Sequence, residues 1–162
     1  MLFRSVALGL GYGVLAFPVL ITVGNVGVAV QTWLGNQPAS DLGHPLLVLL
    51  RDNPDNGWAW LLGAIALVAA PVVEETLYRG LIQSFVLRVT AMPWVSVAIT
   101  SVAFMLMHYQ ENGSVPWAAM VEIGVFGAIL GFVFERTKRL GVTIVMHVFF
   151  NGANLALAMW AS

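Results

Sequence analysis

The sequence PVVEETLYRG, residues 71–80, places two adjacent glutamates and an arginine at the end of a long apolar stretch. The preceding residues 58–70 contain no charged side chain. On membrane-insertion scales, each Asp, Lys or Arg at the centre of a spanning helix costs about 2.5 to 3.5 kcal/mol, so three charges offset roughly a dozen Leu, Ile, Val or Phe side chains. This stretch therefore predicts a membrane helix whose charges have partners inside the protein.

The composition of the whole chain indicates a membrane protein. Of its 162 residues, 59% are hydrophobic and 9% are charged, and the mean hydropathy is +0.86, far above the usual range for a soluble domain. Membrane lipid is therefore the expected environment. A net charge of −1, without Lys/Arg runs interleaved with aromatic residues, excludes nucleic acid as a partner. The absence of cysteine excludes disulfides, thiolate catalysis and cysteine-ligated zinc.

Five apolar segments predict an all-α fold, a polytopic transmembrane helix bundle of about five membrane segments. Each segment is near the ~20 residues needed to cross the hydrocarbon, and the third is the shortest. We expect one membrane domain, residues 1–162, in which residues 1–57 form a helix and a loop and residues 58–160 form a helical core. The predicted segments are residues 5–34, 58–79, 93–109, 116–135 and 140–160.

The positive residues predict the orientation of the chain, because Lys and Arg near the ends of membrane helices remain on the cytoplasmic side. If the five segments alternate, the N-terminus is cytoplasmic and only Arg51 lies on the opposite side. The residues collected on the cytoplasmic side are Arg4, Arg79, Arg88, Arg136, Lys138 and Arg139. Tryptophans near the predicted segment ends agree with these boundaries, and they are Trp58, Trp60, Trp94, Trp117 and Trp160.

The charges of residues 71–80 have two interpretations. Glu74, Glu75 and Arg79 lie at the headgroup level, about 24 Å along the segment, or they lie inside the bundle. The apolar sequence LIQSFVL that follows favours the second interpretation, and Pro71 can open and kink the helix just before the charges. Glu75 and Arg79 are four residues apart and can pair, whereas Glu74 is rotated by about 100° and is left for proton transfer.

Two further segments carry polar side chains suited to proton transfer, metal ligation or oxyanion stabilisation. His108 follows Phe104 by one helical turn, although a histidine near a helix end also fits simple packing. His147 and Asn151 share one face of the last segment, where an interhelical hydrogen bond is the alternative to a catalytic role. Glu122 stands alone in the fourth segment and is expected to be a pairing or rim group.

Several glycines and one loop histidine are expected to have structural rather than chemical roles. Gly127 and Gly131, with Gly124 one turn before them, form a small-residue face that favours close helix packing. The sequence GLGYG, residues 9–13, belongs to the first membrane segment rather than to a dinucleotide-binding loop. His44 is expected to be solvated in the loop.

Three spaced motifs, in this order and each in an apolar segment, resemble the CPBP family of intramembrane proteases. The motifs are Glu74-Glu75-x-x-x-Arg79, Phe104-x-x-x-His108 and His147-x-x-x-Asn151. The family includes CAAX prenyl proteases of the Rce1 type, Abi bacteriocin-immunity proteins and lysostaphin-resistance-like proteins. The resemblance covers about residues 58–158 and implies an endopeptidase that hydrolyses peptide bonds in or near the membrane. On this basis residues 58–160 are expected to form the catalytic core, and the last four membrane segments are expected to form the active site.

The resemblance also implies three pairs of catalytic residues. Glu74 and His108 would bind and activate a water. Glu75 and Arg79 would orient that first pair. His147 and Asn151 would stabilise the oxyanion. If the enzyme uses zinc, the metal ligands would be Glu74, His108 and His147, and the fourth position would stay open.

The resemblance implies a multi-pass membrane protein whose substrate is a peptide or a membrane protein. Family members commonly carry more helices before the Glu-Glu segment than the single helix found here, so the cavity would be smaller or completed by another subunit. This compact form favours a prokaryotic cell membrane, where no CAAX substrate is required.

Other functions remain open at the level of the sequence. The H-E-x-x-H and G-x-S-x-G motifs and paired membrane aspartates are absent, which disfavours the corresponding proteases. A non-catalytic membrane immunity or scaffold protein of the same fold would act by binding. A small transporter or channel would use the same charges along a proton path.

Overall fold

The computed structural model describes residues 2–35, 49–50, 52–53, 55–109 and 116–160. These residues form a bundle of five helices and contain no strand, which confirms the all-α prediction. Four of the helices are long and apolar enough to cross a membrane, whereas the third has only 15 residues. The helices are α1, Leu2–Trp33; α2, Gly57–Thr90; α3, Pro93–Met107; α4, Trp117–Thr137; and α5, Leu140–Trp160.

The outside of the bundle is apolar, as expected for helices that face lipid. Exposed hydrophobic side chains occur on every helix, and two on α2 are Val73 and Phe85, with exposed fractions of 66% and 65%. Tryptophans occur in the first or last turn of the helices, among them Trp58, Trp117 and Trp160. The apolar surface and the positions of the tryptophans therefore agree with the predicted membrane segments, although the exact ends of some helices differ from the prediction.

Helix α2 differs from the predicted segment 58–79 because it continues past Arg79 to Thr90. The continuation is stable because its polar side chains have partners in α4: Gln83 Nε2 donates to Gly131 O at 3.0 Å and to Glu135 Oε1 at 3.1 Å. Arg79 is completely buried in the middle of the helix. Arg79 is therefore not a helix-end residue and does not support the predicted orientation, and the cytoplasmic N-terminus stays a prediction.

Pro71 does not end α2, because the helix is wider just before it. Residues Ile65–Ala69 form a π turn, and the Ala70 N–H donates to Ile65 O five residues back. The next donor in this pattern would serve Ala66 O, but proline has no N–H. Asn151 Nδ2 of α5 donates to Ala66 O instead, at 3.1 Å. A second π turn, Thr76–Gln83, follows the glutamates, and such turns are frequent at functional sites.

The small-residue face of α4 packs closely against its neighbours, as predicted. A Cβ atom at Gly127 would lie 3.2 Å from the Phe104 ring, and one at Gly131 would lie 3.1 Å from Gln83 Oε1. One at Gly124 would lie 3.2 Å from Met105 Sδ. These close approaches hold α4 against α3 and α2 on both sides of the buried arginine.

Helix α1 packs on α4 and α5 through glycines of its own. A Cβ atom at Gly9 would lie 2.7 Å from Val142 O, and one at Gly13 would lie 2.6 Å from the Phe149 ring. Towards the other end of α1, Gly27 meets Ala118 of α4 in the same way, at 3.0 Å. GLGYG thus lies within the first helix, as predicted, and serves helix packing.

The core of the bundle includes side chains from every helix. Leu20 of α1 packs in one cluster with Tyr78, Phe104, Phe126 and Met146. The division into residues 1–57 and a catalytic core of residues 58–160 stays a prediction. His44 and most of the loop before α2 lie outside the described residues, although Leu50 is described and is buried against Gly63.

Candidate active site

A buried ion pair lies at the centre of α2. Arg79 Nη1 donates to Glu75 Oε1 at 2.9 Å, and both side chains are 0% exposed. Arg79 Nη2 donates to Gly127 O of α4 at 3.0 Å, and its guanidinium lies 4.7 Å from the centroid of the Phe104 ring. The predicted pairing of Glu75 with Arg79 is confirmed, and these two charges lie inside the bundle rather than at a helix end.

The same carboxylate holds His147 of α5. His147 Nδ1 lies 3.0 Å from Glu75 Oε1. Because this oxygen also accepts from Arg79, it acts as an acceptor and the Nδ1–H of His147 is the donor. The other ring nitrogen, Nε2, lies 3.8 Å from Glu74 Oε2. Glu75 therefore fixes the ring of His147 so that Nε2 faces Glu74.

A cavity of about 280 Å³ opens beside Glu74 and His147. Four of the six predicted catalytic residues line it: Glu74, His108, His147 and Asn151. The other two, Glu75 and Arg79, lie behind the cavity wall and are completely buried. The structure thus brings together residues from α2, α5 and the end of α3, as the spaced motifs predict, and separates them into a lining group and a supporting pair.

His108 is the residue that caps α3. Its Nδ1 lies 2.8 Å from Phe104 O. A backbone carbonyl only accepts, so Nδ1 carries the proton and Nε2 is left for a water or a substrate. The His108 ring also packs against the Phe104 ring, with centroids 4.8 Å apart. His108 therefore has the packing expected of a histidine at a helix end and also lines the cavity.

Asn151 has a structural contact in addition to its position in the cavity. Its Nδ2 donates one hydrogen to Ala66 O, which is the interhelical hydrogen bond expected as the alternative to catalysis. A side-chain amide has a second N–H and a carbonyl oxygen. These groups remain for a bound substrate, so the contact with α2 orients the amide without using all of it.

The tautomers inferred for His108 and His147 are those that zinc-ligating histidines have. A ligating imidazole usually donates from its other nitrogen to a carboxylate or carbonyl, as His108 and His147 do here. However, no three His, Cys, Asp or Glu side chains within residues 2–35, 55–109 and 116–160 could hold one metal ion. The zinc site of Glu74, His108 and His147 that the resemblance allows therefore stays a prediction.

Two polar residues in the cavity wall have no catalytic role in the sequence prediction. Asn154 lies seven residues after His147 and three after Asn151, so it extends their face of α5. This spacing is the signal that could have identified it. Glu122 of α4 also lines the cavity. Its place in the cavity wall agrees with the predicted rim group, whereas the alternative of a pairing group is not seen, because Glu122 has no hydrogen bond or ion pair with any described residue.

The described lining of the cavity has acidic groups but no basic side chain other than histidine. Glu74 and Glu122 are its two carboxylates, and neither Lys nor Arg is among the described residues that line it. The buried Arg79 is already paired with Glu75 behind the wall. The site is therefore an acidic compartment with apolar walls.

Comparison with known proteins agrees with the resemblance of the motifs. The family model for type II CAAX prenyl endopeptidase Rce1-like proteins matches residues 56–153, which include Glu74, His108, His147 and Asn151. No curated protein and no solved structure matches the chain. A protease family implies a peptide or protein substrate, and the four long apolar helices indicate an integral membrane protein. The chain belongs to the type II CAAX prenyl endopeptidase Rce1-like family.

Proposed function

We propose that this protein is an intramembrane endopeptidase that hydrolyses a peptide bond with a water held between Glu74 and the cavity histidines. The observation that supports this proposal is the 3.8 Å separation of Glu74 Oε2 and His147 Nε2 in the wall of the cavity. This distance is too long for a direct hydrogen bond but short enough for both groups to contact one water.

Glu74 is the general base in this proposal. Its side chain is 29% exposed, whereas those of Glu75 and Arg79 are 0% exposed, so Glu74 is the carboxylate of this group that a water can reach. Glu74 takes a proton from the water while the water oxygen attacks the carbonyl carbon of the substrate. The proton then passes to the amine of the leaving peptide as the carbon–nitrogen bond breaks.

His108 is a further contact of the water. With its Nδ1–H donated to Phe104 O, its Nε2 can accept a hydrogen from the water and orient the oxygen lone pair towards the substrate. The end of α3 fixes the position of this ring.

His147 and Asn151 stabilise the oxyanion of the tetrahedral intermediate. When His147 carries a second proton, its Nε2–H donates towards the cavity while Nδ1–H remains bonded to Glu75. The second N–H of Asn151 supplies another donor. Donors that are fixed before the reaction stabilise developing negative charge strongly in a site shielded from water.

The proposed mechanism does not pass through a metal ion, because the described ligand-type residues do not form a three-ligand set. Zinc analysis of the purified protein tests this part directly. We expect no stoichiometric zinc and no loss of cleavage after treatment with a chelator. Zinc at one equivalent, lost together with activity, would replace the water-only scheme by a metal scheme.

The substitution Glu74→Gln tests the mechanism. We expect cleavage of a peptide or membrane-protein substrate to be abolished, with expression and membrane insertion near wild type, because the amide keeps the size of the side chain but cannot accept the proton. A matched control is Glu135→Gln, since Glu135 lies away from the cavity and bonds to Gln83 and Lys138. Retained cleavage by Glu74→Gln would remove this residue from the mechanism.

The alternative function, a non-catalytic immunity or scaffold protein, gives the opposite result. A protein that acts only by binding should keep its biological effect when Glu74→Gln or His108→Ala is introduced, provided that the variant still inserts. Loss of the effect in both variants, with normal insertion, supports the endopeptidase.

A further inference from the structure

We infer that Glu122 binds a lysine or arginine side chain of the substrate close to the scissile bond. This inference rests on the proposed endopeptidase function and names the class of peptide that the cavity selects. It begins from the position of Glu122 in the cavity wall, where the carboxylate has no hydrogen-bond or ion-pair partner among the described residues.

The position of Glu122 along α4 places it near the reacting groups. Phe126 follows it by four residues, and the Phe126 ring lies 5.1 Å from the His147 ring, centroid to centroid. One helical turn rises about 5.4 Å, and an extended peptide advances about 3.3 Å per residue. If the scissile peptide bond lies at His147, Glu122 therefore lies beside a substrate residue about one to three positions from that bond.

The charges around Glu122 favour a cation as its partner. Glu74 is the other carboxylate of the cavity, and the described lining contains no Lys or Arg. The nearby walls are apolar, and they include Ile123 and Phe150. A half-buried carboxylate between apolar walls has less water around it than a surface carboxylate, so a charge-assisted hydrogen bond from a cationic substrate side chain is favourable there.

The first helix holds the Glu122 carboxylate in place. A Cβ atom at Gly24 of α1 would lie 2.7 Å from Glu122 Oε2 and 3.3 Å from its carboxyl carbon. Only glycine leaves room for the carboxylate at this point of α1. Because the opposing group is the end of a flexible side chain, Gly24→Ala would move the carboxylate rather than separate the helices.

Binding to an inactive protein tests the inference independently of cleavage. The probes are short apolar fluorescent peptides that carry one lysine, each with a twin that has norleucine at the same position. We expect the Glu74→Gln protein to bind the lysine peptide about tenfold or more tightly than its twin. The added substitution Glu122→Gln should remove this difference. Equal binding of the two peptides by the Glu74→Gln protein would overturn the inference, whether or not the protein is a protease.

Cleavage gives the second test. In the wild-type protein we expect kcat/KM to be about tenfold or more higher for the lysine peptide than for the norleucine peptide, and Glu122→Gln to reduce this ratio to near one. Gly24→Ala should also reduce the ratio, whereas Gly11→Ala should not, because nothing lies within 4 Å of a Cβ atom at Gly11. An equal loss for both peptides in Glu122→Gln would show a structural role and would overturn the inference.

Discussion

A single oxygen of Glu75 contacts two polar side chains. Glu75 Oε1 accepts from Arg79 of the same helix and from His147 of α5, and Arg79 continues the connection to Gly127 O of α4. The four-residue spacing predicts the first contact, because it follows from helix geometry alone. The other two depend on which faces of α4 and α5 meet α2, and no local pattern specifies them.

Removing Arg79 should destabilise the protein strongly. In Arg79→Gln the Glu75 carboxylate stays buried without its cation, so we expect the free energy of unfolding to fall by about 3 to 5 kcal/mol. Thermal unfolding in detergent measures the loss. The matched control is Arg88→Gln, because Arg88 is exposed in the last turn of α2. Equal stability of the two variants would show that the buried pair adds nothing.

The substitution Arg79→Lys tests whether the positive charge of Arg79 is sufficient or whether the planar guanidinium is also needed. Lysine keeps the positive charge beside Glu75 but cannot reproduce the planar guanidinium that also reaches Gly127 O and lies over Phe104. We expect a smaller loss of stability than in Arg79→Gln, together with reduced cleavage because His147 is less well oriented. Wild-type cleavage by Arg79→Lys would show that the charge alone is sufficient.

Among the elements, α2 shows where sequence interpretation ends. The predicted segment ends at the charged residue Arg79, but the hydrogen bonds of Arg79 and Gln83 to α4 allow the helix to continue to Thr90. The first π turn is equally hidden, because the donor to Ala66 O is Asn151, which lies across the bundle. In contrast, the ends of α5, Leu140–Trp160, agree with the predicted segment 140–160, because short polar or aromatic flanks mark both ends.

Pro71 and Asn151 should be energetically coupled. Asn151→Ala leaves Ala66 O without its donor, and we expect a loss of about 1 to 3 kcal/mol. Pro71→Ala supplies a backbone N–H that can serve Ala66 O, so the loss caused by Asn151→Ala should be smaller in the double variant. A double-mutant cycle of thermal unfolding measures the difference. Strictly additive losses would contradict this explanation of the π turn.

The docking of α1 can be tested at a single glycine. A Cβ atom at Gly9 would lie 2.7 Å from the backbone oxygen of Val142, which cannot move as a flexible side chain can. We therefore expect Gly9→Ala to lower the free energy of unfolding by about 1 to 3 kcal/mol. Gly11→Ala provides the control on the same helix, since it meets no neighbour within 4 Å. Equal unfolding temperatures would show that α1 does not pack closely there.

For the whole molecule, composition predicts the fold class, whereas the arrangement of the helices depends on contacts between distant residues. The spaced motifs identify six candidate residues, and four of them line the cavity. For Glu122 the sequence predicts only a pairing or rim group, because its sequence neighbours give no sign of Gly24 opposite it. The role of a lone carboxylate such as Glu122 can be proposed only when the helix that faces it is known.

The family match begins at residue 56, yet α1 packs against α4 and α5 and adds Leu20 to the core. We expect residues 49–162 alone to fold poorly, because the faces that α1 covers would be exposed. Separate expression of residues 1–48 in the same cells should restore the folded protein. Protease resistance in detergent measures folding. Full resistance of residues 49–162 alone would show that α1 is dispensable.

The spacing of the ion pair has a consequence for biosynthesis. Glu75 and Arg79 are one turn apart on a single helix, so they can neutralise each other as soon as that helix forms. Their partners Gly127 and His147 are synthesised later. A nascent chain can therefore carry both charges into the lipid before the rest of the bundle exists, and His147 reaches Glu75 only when the last helix has been made.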